Sequence, residues 1–306
     1  MPNTEPAPRT VVVHPTRDTL HEAVAARLLL TLSDRLAVAP RADVALTGGR
    51  DGNAILAALP AHPLNAIVDW SRVHLWWGDE RFVAADDPDR NARQARDAWF
   101  GALVSSGLIP EAHVHEMPAD TRPADDVATA TDAENDAVLA RAAAEYQAEI
   151  ERELGPDGAF DVAMFGIGPD GHFASLFPDH PEVLLDDPDV KAVGVNHSPK
   201  LPPLRVSLTV PFIRSCRAVW MIASTPGKAD AVAAALAGSG VGNGVGNGNG
   251  GNGVAGNAGN ENGVAGNGNA SARTTGDDPH VPSSFAAGAE QSLWLLDRDA
   301  ASKLGR

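Results

Sequence analysis

The chain has 306 residues, 43% of them apolar, with a formal charge of −16 and a single cysteine, Cys216. That length holds one large α/β domain or two small ones, and the apolar share suffices for a substantial core; the acidic balance argues against nucleic acid as a partner, although a locally basic pocket can still hold a small phosphorylated ligand. One cysteine excludes an intramolecular disulfide framework and fits a reducing, cytoplasmic setting, MPNTEPAPRT lacks the apolar core of a signal peptide, and no apolar run approaches the ~20 residues of a membrane helix, so no membrane partner is expected.

In chain order, apolar strand-like runs alternate with helix-like segments. Val11 to Val13 opens the series after a disordered tail at 1–9. A helix over Thr19 to Val38 follows, then a strand through Val44 and Leu46, a Gly48-Gly49 turn, a helix from about Asn53 to Leu59, and a strand at Val73 to Trp77. Asn91 to Val104 and Asn135 to Leu154 read as helices. Further strands are expected at 161–166, 191–195, 205–210, 218–223 and 292–296, with Cys216 buried and inert inside a strand and a helix at 228–237. This alternation predicts one doubly wound α/β domain over 1–306, with a mostly parallel sheet and helices on both faces.

Residues 238–276 break the pattern. They are nearly all Gly, Asn, Ala and Val, offer almost no large side chain to offset backbone entropy, and read as a disordered insertion inside the domain, because 292–297 beyond them looks like another core strand.

Four turns carry chemistry. FDVAMFGIGPDGHFASLFPDHP, from Phe160 to Pro181, is a buried-strand pattern that stops at a glycine-rich turn holding Asp170 and His172; imidazole titrates near neutrality, and strand ends are where open α/β sheets collect ligands. VHLWWGDERFV, 73–83, ends a strand in Asp79, Glu80 and Arg81, which reach the same edge if the two strands are parallel neighbours, or else cap a helix or form an ion pair. VALTGGRDG, 44–52, runs a strand into Gly48 and Gly49 before a helix, where backbone N–H groups can meet a phosphate, without the spacing of a P-loop or a dinucleotide fingerprint. HSPKLPPLRVSLT, 197–209, brings Lys200 and Arg205, two cations suited to clamping a phosphate or to solvation beside a turn. His113 and His115 beside Glu116 lack a third convergent ligand and read as a surface strand or loop, not a metal site.

The order LTGGRDG, WWGDERFV, NARQA, GIGPDGHFASLFP, SPKLPPLRVSLT and WLLD resembles the 6-phosphogluconolactonase family, which shares its fold with glucosamine-6-phosphate deaminase. The likeness covers nearly the whole chain apart from the tail and the insertion, and Ala174 to Pro178 resembles the lactonase side, where the deaminase has an Asn-Glu-Pro ending. The resemblance implies hydrolysis of 6-phospho-D-glucono-1,5-lactone without metal or organic cofactor, by a monomer or small homo-oligomer. His172 is expected to be the base and then the acid, with Asp170 either orienting it or satisfying turn amides, and Arg81 and Lys200 resemble the family's phosphate-binding cations with Arg205 in addition. Amides of Gly48-Gly49 should lie near that phosphate, with Asp79 and Glu80 at the binding edge. The rival readings are a glucosamine-6-phosphate deaminase-like sugar-phosphate isomerase and a non-catalytic sugar-phosphate sensor. One departure stands out: Arg50, Asp51 and Gly52 replace the family's small hydroxyl residues and proline; either Arg50 supplies by charge what the hydroxyls gave, or, the preferred reading, it faces solvent while Asp51 caps the next helix.

Replacing 238–276 by a short Gly/Ser linker is expected to leave melting temperature and turnover unchanged; a large fall in melting temperature in a thermal scan refutes the disordered-insertion reading.

Overall fold

In the computed structural model, which describes residues 5–237 and 276–305, each long helix begins at a residue able to cap it. After β1 (Arg9–His14), Thr16 accepts the Thr19 N–H at 3.2 Å and starts α1 (Arg17–Val38), whose inward face repeats as Leu20, Val24, Leu28, Leu32 and Leu36 at four-residue spacing. β2 (Ala42–Leu46), α2 (Gly49–Ala58), β3 (Val73–Trp77) and β4 (Asp79–Arg81) follow. α3 (Asn91–Ala95) and α4 (Gly101–Ser105) are joined by a π-helical stretch, Arg96–Phe100, whose wider turn directs the consecutive Trp99 and Phe100 inward. After α5 (Ala124–Thr129), a Thr131–Glu134 capping box opens α6 (Asp132–Leu154), which stops at Gly155 with φ +79°. β5 (Val162–Gly166), β6 (Ala192–Val195), β7 (Arg205–Leu208), α7 (Val210–Ser215), β8 (Ala218–Ala223), α8 (Ala229–Leu236) and β9 (Gln291–Asp297) complete the chain.

Six strands form a parallel sheet in the order β1-β9-β8-β5-β2-β3. Every residue of β2, β3 and β8 is buried, as a strand covered on both faces requires. From β2 the chain steps outward to β3 and later returns to β5 on the other side of β2, so the winding reverses between β2 and β5. Ligands collect outside the carboxyl ends of strands at such a reversal.

The expected doubly wound, mostly parallel α/β architecture is present, with one revision. β6 and β7 leave the main sheet and pair antiparallel with each other and with β4, in the order β4-β7-β6. β4 follows β3 after the single residue Gly78, so this small sheet is hinged on the carboxyl edge of the large one. β3 and β5 are therefore not neighbours; both flank β2. Cys216 is not in a strand but caps α7, fully buried, with its Sγ donating to Phe212 O at 3.4 Å and its thiol pushed up by burial to about 12. Order begins inside the expected tail 1–9: Ala7 N–H donates to Gly288 O at 2.8 Å and Ser292 Oγ to Ala7 O at 2.8 Å, because β1 lies beside β9. The expected insertion 238–276 lies outside the described residues except for Gly276.

The edge strand β3 is secured from α6. The Tyr146 hydroxyl donates to Trp77 O and accepts from Trp77 N–H, both at 3.0 Å, and burial drives the phenol well above its ordinary pKa. Tyr146→Phe leaves a donor and an acceptor unpaired in the core and is expected to cost about 2–4 kcal/mol in urea-induced unfolding; a loss under about 0.5 kcal/mol removes this role.

Candidate active site

After β5 the chain makes a tight turn in which Gly168 N–H donates to His172 O at 2.8 Å and Gly171 N–H to Gly168 O at 3.0 Å. The His172 ring folds back over the turn so closely that a Cβ on Gly168 would stand 1.9 Å from Nδ1 and 2.2 Å from Asp170 Oδ1. Only glycine leaves space for that arrangement. Nδ1 lies 2.5 Å from Asp170 Oδ1, while Lys200 Nζ lies 3.2 Å from the same oxygen and 3.0 Å from Nδ1. Burial works against ionisation of Asp170, but the hydrogen bond from His172 and the Lys200 charge hold its carboxyl well below the usual carboxylate range. In the tautomer whose Nδ1–H donates to the ionised Asp170, Lys200 bonds the carboxylate and not the ring, and Nε2 is the basic nitrogen. Burial lowers the His172 pKa, opposed by Asp170, so the imidazole is neutral near pH 7.

The second turn is tied to the first. Ser175 Oγ donates to Asp79 Oδ2 at 2.7 Å, and Asp79 lies opposite Ser207 in the β4–β7 ladder. Glu80, expected at the binding edge, is instead fully buried and accepts the N–H groups of Arg81, Asn91 and Ala92 at 2.8, 2.7 and 2.8 Å; burial raises its pKa to about 7, against those donors and the nearby Arg90. Its carboxylate thus anchors the first turn of α3. That turn delivers Asn91, which accepts from the Arg81 guanidinium, donates to Asp79 O at 3.0 Å and presses on Gly48, where a Cβ would come within 1.8 Å of Asn91 Oδ1. Arg81 and Gly48 therefore share one neighbour.

Third comes the start of α2. Gly48 is its N-cap without a side-chain cap, so the first N–H groups of the helix face a cleft lined by Thr47, Gly49, Arg50, Gly166, Thr225 and Lys228, among others. Lys228 Nζ donates to Ile167 O, just before the histidine turn, and feels the charges of Lys200 and Asp170, so this cleft and the Asp170–His172 pair belong to one electrostatic neighbourhood. Residue Thr225 holds a strained φ of +79°, secured by its N–H to both oxygens of Asp297 at 3.2 and 3.0 Å.

Of the residues singled out from sequence, His172, Asp170 and Lys200 are in mutual contact, Asp79 is hydrogen-bonded to Ser175, three residues beyond His172, and Arg81 reaches Gly48 through Asn91. Two readings need correction besides Glu80. Arg205 is 5% exposed and spends its guanidinium on the carbonyls of Pro202, Lys200 and Leu201, so it shapes the loop that presents Lys200. Helix α2 starts at Gly49, not near Asn53, which puts Asp51 inside its first turn and not at the cap. Its carboxylate accepts from Ser224, His21 and Arg17; burial opposes ionisation, but these partners hold it at about 2. Arg50 is exposed at the cleft rim. Lys228, Asn91 and Asp297 were not singled out, since one lysine, asparagine or aspartate carries no local signal; NARQA and WLLD marked the latter two only as members of longer motifs.

An open α/β sheet with an Asp–His pair, a facing lysine and an uncapped helix start at its reversal point has the equipment of an acid–base enzyme for a small anionic molecule. Residues 15–243 match the family described as glucosamine-6-phosphate isomerases/6-phosphogluconolactonase. A Streptomyces coelicolor protein named 6-phosphogluconolactonase is 38% identical over 97% of this chain and 95% of its own, and a Mycobacterium tuberculosis protein of the same name is 37% identical over 96% and 98%. The chain belongs to the glucosamine-6-phosphate isomerase/6-phosphogluconolactonase family. Its fold is that of the Trypanosoma brucei 6-phosphogluconolactonase (TM-score 0.70, 23% identity, covering 98% of this chain and 100% of that one) and of a monomeric glucosamine-6-phosphate deaminase (TM-score 0.64, 14% identity, 96% and 99%).

The electrostatics predict that His172, followed by NMR, titrates below its ordinary value of about 6.5. Asp170→Asn removes the charge that opposes the depression and is expected to lower the pKa further; an upward shift in the variant contradicts the assigned pairing.

Proposed function

We propose that this protein hydrolyses 6-phospho-D-glucono-1,5-lactone to 6-phospho-D-gluconate. Its 37–38% identical relatives over nearly the whole chain bear the name 6-phosphogluconolactonase, and the observation that carries the mechanism is the 2.5 Å Asp170–His172 contact. With Nδ1 committed to Asp170, Nε2 has no hydrogen-bond partner among the described residues and takes a proton from the attacking water as it adds to C1 of the lactone. The tetrahedral oxyanion needs a cation or N–H group nearby; Lys200, expected from the sequence to bind the phosphate, is assigned this role instead because its Nζ lies 3.0 Å from His172 Nδ1. Collapse breaks the bond from C1 to the ring oxygen, and the imidazolium returns its proton to that oxygen. Asp170 keeps the ring oriented and stabilises its charged form.

The phosphate is assigned to the other end of the site. The N–H groups opening α2 at Gly48 and Gly49, the Arg81 guanidinium and Lys228 make a cradle for a dianion. Asp79 is assigned a sugar hydroxyl, because a carboxylate beside a phosphate is repulsive. Glu80 and Arg205 hold the elements that carry these groups. No helix among the described residues is long and apolar enough to cross a membrane, and the partner proposed is the phosphorylated lactone alone.

His172→Ala is expected to lower kcat by ~10²- to 10⁴-fold with little change in phosphate affinity, measured with freshly generated lactone against its spontaneous hydrolysis; unchanged turnover removes the base. Arg81→Ala should raise KM for the phosphorylated lactone and spare an unphosphorylated one, and equal losses on both defeat the phosphate assignment. Ammonia release from glucosamine 6-phosphate at a comparable rate favours the deaminase reading instead.

A further inference from the structure

At the amino-terminal half of β3, away from the site just described, the structure gathers a second set of chemically competent side chains. Residues 113–115 run beside β3: His115 N–H donates to Leu75 O at 2.8 Å, and Val114 bridges Leu75. The alternation along both segments brings their histidines to one face, where the ring of His113 stacks on His74 at 3.8 Å and that of His115 on Trp76 at 3.9 Å. α6 covers that face. His115 is thereby 2% exposed and His74 6%, so the surface position expected for His115 is overturned, while His113 stays partly exposed in the loop that was expected.

We propose that His74, His115 and Glu153 form a divalent transition-metal site, suited to zinc, that fastens β3 and the 113–115 segment to α6. One donor atom from each of the three lies within 4.8 Å of the others. Ligands about 2.1 Å from a tetrahedral ion stand about 3.3 Å apart, so the widest pair closes by at most about 1.5 Å, within reach of a rotamer adjustment of Glu153. His74 Nδ1 and His115 Nε2 already face each other at 2.9 Å; in a tetrahedral zinc site two such nitrogens stand about 3.3 Å apart, and the rings need part by only a few tenths of an ångström. The ion takes the place of the shared hydrogen bond, and the proton on His74 moves to its Nε2.

The surroundings fit a metal better than a bare histidine pair. His115 Nδ1 lies 2.7 Å from Glu149 Oε1, and a carboxylate on the outer nitrogen fixes the tautomer whose other nitrogen points to the ion. Glu149 and Glu153 are four residues apart on α6 and so share a face. Arg41 Nη1 lies 3.3 Å from Glu153 Oε2, while its Nη2 and Nε fork onto Asp43 at 2.6 and 2.9 Å, so Arg41 stays neutralised when Glu153 turns to the ion. His113 Nδ1 is buried in the same cluster without a hydrogen-bond partner. His74 precedes Gly78 by four residues, about 13 Å along the strand, which makes the ion a structural clamp and not a participant in the reaction.

The test uses the full-length protein, equilibrated with excess zinc, exhaustively dialysed and analysed by mass spectrometry for bound metal, with thermal scans in zinc and in chelator. The wild type is expected to retain one zinc per chain and to melt higher in zinc. Glu153→Gln, at a half-buried helix position where folding is expected to survive, and Glu149→Gln should each bind zinc at least ~10-fold more weakly, while His172→Ala should bind it as the wild type does. Cobalt loading should give the intense visible bands of a tetrahedral site. No retained zinc, retention undiminished in folded Glu153→Gln, or loss in His172→Ala each overturns the proposal.

Discussion

The close approach of the His172 ring to the backbone of Gly168 is the constraint around which the active edge is organised. It sets the 2.5 Å contact with Asp170, and that contact decides which imidazole nitrogen carries the proton. It also demands a glycine at 168, since any side chain there would occupy the volume of the ring and the carboxylate. Lys200, reaching Asp170 and the ring from the small sheet, adds a positive charge that helps to keep the carboxylate ionised and the imidazole neutral. One geometric requirement thus fixes the ring against the carboxylate, while burial, opposed by Asp170, keeps the imidazole neutral.

The remainder of the edge is built so that separate strand ends cannot drift relative to that turn. Ser175 joins the histidine segment to Asp79, Glu80 joins β4 to α3, and Asn91 joins Arg81 to the start of α2. Each joint is a short polar side chain whose partners are largely backbone groups or other residues of the edge, which positions more rigidly than contacts between long flexible chains. Farther out, Asp297 at the end of β9 and Asp51 in α2 hold Thr225 and Ser224, and through them the loop leading to Lys228. Charged residues that look like ligands in the primary structure therefore divide into those that face the cleft and those, Glu80 and Arg205 above all, that are consumed in holding it open.

The same sheet carries two differently made regions at its two ends. At the carboxyl ends of β2 and β5 the turns are glycine-rich and border a cleft that Arg50 and Lys228 line. Toward the amino-terminal half of β3, aromatic rings stack under α6 and enclose polar atoms. Parallel strands make this segregation natural, because all of their carboxyl ends emerge on one edge.

What the linear chain determined by itself is the element order, the parallel α/β class and the identity of the histidine turn, because alternating apolar runs and glycine-bounded strand ends are local patterns that survive any tertiary arrangement. Most strand and helix bounds agree to within a few residues for the same reason. The pairing of β4, β6 and β7 into their own sheet was not legible, since three-to-four-residue strands carry too little pattern to name a partner. Nor were the fates of Glu80, Arg205 and Asp51, the place of Lys228 beside the cleft, or the convergence of His74, His115 and Glu153. Those depend on which residues far apart in the chain meet at a strand end or under a helix, and only the folded backbone decides that, because burial, charge pairing and close approach are properties of neighbours in space.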